Sequence, residues 1–176
     1  TLYEWHMMSK KKNYHLVGFI FLIFSFYSAY HLRNLINDDK GLLFLFIILI
    51  CISTDIGGYI FGKLLKGPKL TKLSPNKTYS GVIGSFLLAI IIIILFFELT
   101  FNIFNFRFDL ETLIFVLAVS LVSQIGDIII SYFKRLSKIK DTGNIIPGHG
   151  GILDRIDGMI FAYPFSYLIF LNWNFQ

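Results

Sequence analysis

Apolar and polar positions in this chain are sorted into long blocks. Residues 16–32, 41–61, 81–97, 113–133 and 156–171 form apolar runs, separated by short polar stretches. Runs of this size approach the length a helix needs to cross a bilayer. No run alternates with period two, as a barrel strand would, and a backbone in lipid must then satisfy its own N–H and C=O groups as helix. The pattern predicts an all-α integral membrane protein, a bundle of about five transmembrane helices with polar cytoplasmic loops. It forms a single membrane-embedded domain over residues 1–176. Residues 1–13 read as a polar lead ending in Lys10-Lys11-Lys12.

Composition agrees with the blocks. Hydrophobic residues make up 55% of the chain and charged residues 15%, with 20 Phe, and the mean hydropathy is +0.67. Soluble domains have about 25% charged residues. No polar stretch is long enough to enclose a soluble core of its own. Cys51 stands alone in an apolar run, so no disulfide framework exists. The start lacks Met and a basic region leading to a cleavage site. It is therefore not a signal peptide, and it reads as the interior of a longer chain.

Charge sets the orientation. The net charge of +5 fits loops facing anionic lipid or a polyanionic substrate better than nucleic acid. The loops after the second and fourth runs carry five basic residues each: Lys63, Lys66, Lys69, Lys72 and Lys77, then Lys134, Arg135, Lys138, Lys140 and Arg155. The other two loops, with Asp38-Asp39 and Arg107, are poor in them. Both rich loops and the N-terminal lysines then face the cytoplasm, and the C-terminus faces outward.

Most of the chemistry-bearing residues gather on that side. Gln124, Asp127, Ser131, Lys134 and Arg135 are spaced to share one helix face. Asp127 cannot face lipid. Lys134 and Arg135 lie about two turns away on the same helix, too far for contact, so its partner must come from elsewhere. Asp154 and Asp157 share a face if a helix begins near Leu153, and either could simply cap it. Capping does not explain Pro147-Gly148-His149-Gly150-Gly151 just before them. Glycines there let the backbone approach a ligand, and successive free N–H groups form an anion site. With paired carboxylates and flanking bases, this suits phosphates beside Mg2+. Asp55, after Ser53-Thr54, is a second near-membrane acid on the same side. His6, His15 and His31 are interfacial by position and receive no role.

These residues resemble a known signature. Ser131-x-x-Lys134-Arg135, Lys140-Asp141-x-Gly143 and Pro147-x-His149-Gly150-Gly151-x-x-Asp154-Arg155-x-Asp157 look like the motif of the phosphatidate cytidylyltransferases, or CDP-diacylglycerol synthases. Thr54-Asp55, Tyr59, Gly62, Lys69-Leu70, Ser74-Pro75, Lys77-Thr78 and Gly81 resemble an earlier polar segment of that family, and Glu4-Trp5 is similar too. Ser80 stands where that family has an acid, and the family carries further N-terminal helices. The resemblance implies transfer from CTP to phosphatidate within the lipid bilayer, with pyrophosphate released. It implies Mg2+ on Asp127 and Asp154, with Asp157 and Ser131 as further candidates and a second cation left open. Lys134, Arg135, Lys140, Arg155 and Lys77 would hold phosphates. Asp141, Gly150 and Gly151 would line the substrate site, Asp55 would complete it, and His149 is a candidate for direct catalysis. The oligomeric state stays open, a homodimer included. A cytidylyltransferase for another phospholipid is a related alternative. A membrane ion or phosphate transporter is a rival of another class, but its polar residues should run through the membrane's depth.

Overall fold

The computed structural model describes residues 1–34, 41–71, 74, 77–104, 108–145, 148 and 150–172. It is helical: α1 (Leu2–Ser9), α2 (His15–Asn34), α3 (Leu42–Leu65), α4 (Tyr79–Phe104), α5 (Leu110–Leu136), α6 (Leu153–Ile156) and α7 (Met159–Asn172). Among the described residues the one strand-like pairing is an isolated bridge between Lys69 and Thr78. The acids at 38–39 and Arg107 lie outside the described residues.

Four helices, α2 to α5, are long and apolar enough to cross a membrane. Their apolar side chains point largely outward. In the most apolar windows of α2 and α4 only 22% of the residues are buried, and Leu99, Val17 and Leu16 are among the most exposed side chains. Water would not tolerate such a surface on a lone bundle, whereas lipid requires it.

Inside, α3 packs most extensively on α4, and α7 lies between α2 and α5. Small residues permit the α3–α4 approach. A Cβ added at Gly57 would stand 2.6 Å from the Gly84 carbonyl, and one at Gly84 would stand 2.2 Å from Phe61. Close backbone approach of this kind is how helices associate where lipid removes the hydrophobic incentive. Ile47, Ile50, Cys51, Ala89, Ile93, Val116, Val119 and Ala162 form the core between these helices.

Two elements differ from the pattern in the sequence. The lead is not a plain polar stretch: α1 buries Glu4, Trp5 and Met8. Trp5 packs with Leu22, Ile130, Leu153 and Ile160, and so ties α1 to α2, α5, α6 and α7. The run at 156–171 does not start as one helix either. The turn of α6 ends at Ile156, and α7 begins at Met159. Between them Gly158 presses on α5, where an added Cβ would lie 2.3 Å from Ser123 Oγ. Asp157 Oδ1 accepts the Gly158 N–H at 2.9 Å. At 14 residues, α7 is about 21 Å long, short of a full crossing.

Candidate active site

The inner end of α5 carries the first group of polar residues. Asp127 is half-buried and forms an ion pair with Lys77. Lys77 reaches it from the loop between α3 and α4, which folds back on itself through Leu70 N–H to Lys77 C=O at 2.8 Å and Tyr79 N–H to Pro68 C=O at 3.1 Å. The Lys77 ammonium also donates to the Gln124 carbonyl at 3.4 Å, and Ser131 Oγ donates to Asp127 Oδ1 at 3.4 Å. The partner required from elsewhere is thus the other basic loop. A cavity of about 260 Å3 opens here, lined by Thr54, Asp55, Tyr59, Lys77, Gln124 and Asp127, among others.

The Asp157 carboxyl is buried and stands beside that of Asp127, close enough for the two to repel. Two like charges this close repel each other, and positive charge placed between them relieves that repulsion. Asp55 is near enough to add its repulsion, while Lys134 acts on Asp157 with the opposite sign. Of the acids proposed for the ion, Asp157 stands beside Asp127, while Asp154 pairs with Lys134.

Asp154 is instead held by donors. Lys134 donates to its Oδ1 at 2.8 Å. Its Oδ2 accepts Thr142 N–H at 2.7 Å, Thr142 Oγ1–H at 3.0 Å and Gly151 N–H at 2.9 Å. Burial alone would raise the Asp154 carboxyl, but the Lys134 ammonium and the Gly151 and Thr142 N–H groups outweigh it and hold the group below its ordinary value. Gly150, at φ +84°, leaves room for this: an added Cβ would stand 2.9 Å from Asp154 Oδ2 and 3.4 Å from Asp141 Cβ.

The N–H groups expected to wait for a phosphate already have anions. Gly151 N–H goes to Asp154. Ile152 N–H donates to Glu4 Oε1 at 2.8 Å and Leu153 N–H to Glu4 Oε2 at 2.7 Å. The chain's own carboxylates take up these N–H groups. Glu4 entered the sequence reading only through the resemblance and without a role, and Thr142 did not enter it. Glu4 is only 2% exposed, and nothing local in the sequence marks a carboxylate whose partners lie 148 and 149 positions away.

The remaining bases stand at the rim. Arg135, Lys140 and Arg155 are exposed, as is Asp141, and Arg135 donates to the Ile139 carbonyl at 3.4 Å. His149 lies outside the described residues.

Among the described residues no group of three or more His, Cys, Asp or Glu side chains converges as a ready metal cage. Mg2+ rarely uses such a cage. It takes one or two carboxylates and completes its shell with water and substrate phosphates. The Asp127–Asp157 pair, with its oxygen-only donors and its mutual repulsion, fits that mode.

Comparison with known proteins identifies the family. A model described as the cytidylyltransferase family matches residues 1–173. A protein of Rickettsia bellii named phosphatidate cytidylyltransferase is 39% identical over 173 residues, covering 96% of this chain and 74% of that one. A Rickettsia typhi protein of the same name is 36% identical over 168 residues, covering 93% and 73%. One from Bacillus subtilis is 38% identical over 160 residues, covering 87% and 58%.

Proposed function

This chain belongs to the cytidylyltransferase family, and from that premise we propose that it makes CDP-diacylglycerol and pyrophosphate from CTP and phosphatidate. It is a CTP-dependent membrane enzyme of phospholipid biosynthesis, as the names of its relatives indicate. The carrying observation is the Asp127–Asp157 pair beside Lys77, at a cavity bounded by apolar membrane helices. A lipid substrate reaches such a site along the bilayer, and a polyanion reaches it from water.

The reaction joins two anions. A phosphatidate phosphate oxygen attacks the α-phosphorus of CTP, a new P–O bond forms, and the bond to the β-phosphate bridging oxygen breaks. Pyrophosphate leaves with that electron pair. The nucleophile is already ionised, so no strong base is needed, and His149 need not remove a proton. The demands are charge neutralisation and in-line placement. Asp127 and Asp157 would hold Mg2+, with Ser131 orienting Asp127. The ion would offset charge on the reacting phosphates. Lys77 supplies a positive charge at the same place from the opposing loop. Lys134, fixed by Asp154, presents its ammonium beside Asp157, and Arg135, Lys140 and Arg155 at the rim draw in phosphates. Asp55, Asp141, Gly150 and Gly151 shape the surroundings. The basic loops on one side support a cytoplasmic site in a multi-pass protein.

The test is turnover in phosphatidate-containing vesicles with radiolabelled CTP and Mg2+. CDP-lipid should form. Asp157→Asn should lower kcat at least about 100-fold with membrane insertion retained. No CDP-lipid from wild-type protein would overturn the reading, and normal turnover in the variant would remove Asp157 from the metal pair.

A further inference from the structure

We propose that Glu4 is a positioning residue of this active site: its carboxylate, carried on α1, clamps the backbone of residues 152–153 and so sets where Asp154 and Asp157 stand relative to Asp127. The proposal rests on the cytidylyltransferase reading above and extends it to a residue that touches no substrate.

Four observations carry it. Both Glu4 oxygens are used, each on a successive backbone N–H, Ile152 at 2.8 Å and Leu153 at 2.7 Å. Those N–H groups open the turn that bears Asp154 and leads to Asp157. The space around the carboxylate is specified as well. A Cβ at Gly151 would lie 2.6 Å from Glu4 Oε1, and one at Gly143 would lie 3.2 Å from it. Gly143 on one side and residues 151–153 on the other therefore close over this one side chain.

The helix that carries Glu4 is itself anchored. Trp5 Nε1–H donates to the His15 carbonyl at 3.0 Å, its ring meets Phe133 edge-on at 5.4 Å, and Ser137 Oγ donates to the Met8 carbonyl at 2.9 Å. The clamp thus references the catalytic loop to the end of α5, the helix that bears Asp127 and Lys134. A carboxylate buried to 2% exposure is costly unless its hydrogen bonds are satisfied. Here they are satisfied by the loop that must be placed.

The test uses the full chain in phosphatidate vesicles, wild-type beside Glu4→Gln. Gln keeps the size of the side chain but turns one acceptor into a donor facing an N–H. Amide hydrogen exchange without substrate or metal should run about tenfold faster across 151–153 in the variant, with α4 unchanged. In turnover the KM for CTP should rise several-fold, which a mere loss of folded protein would not cause, since that lowers kcat alone. Gly151→Ala, which pushes on the same carboxylate from the loop side, should reproduce both effects. Unchanged exchange at 151–153, or faster exchange with wild-type KM and kcat, would overturn the proposal. If Glu4→Gln loses protection throughout the chain, Glu4→Asp decides: it keeps the charge but falls one methylene short, so raised KM supports the clamp and wild-type kinetics refute it. Absence of turnover in wild-type protein would instead sink the enzyme reading, and the positional role with it.

Discussion

Asp154 shows how much a single residue's role depends on its donors. Its type and its place beside a second acid three positions on suggest a metal ligand. Its four accepted hydrogen bonds make it the anchor of Lys134 and of the loop backbone. The depressed Asp154 carboxyl gives this anchor a pH limit. The stabilisation is complete above the ordinary carboxylate range and fades as pH falls through the lowered folded value, so the loss should come below about pH 4. Trp5 emission, read in a Trp173→Phe background, should report a transition there, because Trp5 packs against Leu153. Asp154→Asn should abolish that transition and leave the loop loosened at neutral pH, at a cost of about 3 kcal/mol, since Lys134 loses its counter-charge. An acid transition identical in the variant would assign it to another group.

At the scale of elements, the long helices α2 to α5 were legible, while α1 and the joint between α6 and α7 were not. Residues 41–61 announce a helix by hydropathy alone, and α3 indeed runs over Leu42–Leu65. The break between α6 and α7 could not be read that way, because an apolar run continuing past Asp157 has no local stop signal stronger than Gly158. It is the fit of Gly158 against Ser123 that accompanies the break. The α3–α4 seam follows the same logic. Gly84→Leu would drive carbon into Phe61, whose Cβ and ring Cγ lie 2.2 and 2.3 Å from where the added Cβ alone would stand. This should cost about 1–3 kcal/mol or more, seen as a lower thermal midpoint in detergent and a displaced Asp55, which α3 carries beside the seam. An unchanged midpoint would mean that the helices separate freely.

For the whole molecule, the outward apolar surface of α2 and α4 and the gathering of Lys77, Asp127, Asp154 and Asp157 at one end are two sides of one constraint. Polar chemistry on a lipid substrate has to sit where hydrocarbon ends. The proposed orientation yields a simple experiment. Cysteines placed at Lys69 and Lys138 should react with an impermeant maleimide from the same side of sealed vesicles, and one at Glu111 from the other. Buried Cys51 should stay silent. Lys69 and Lys138 reacting from opposite sides would refute the arrangement.

The sequence by itself determined the class of structure and the gathering of basic residues into two loops. Those follow from composition and spacing, which act locally: hydropathy along a run, a shared face three or four residues apart, glycines before a turn. Tertiary structure alone decided the pairings. Asp127 stands beside Asp157 and meets Lys77, Asp154 meets Lys134, and the backbone of residues 152–153 closes on Glu4. Each of these contacts joins separate elements of the chain, and a carboxylate's partner is set by which donors the packed helices bring within hydrogen-bond reach, a distance no local pattern encodes.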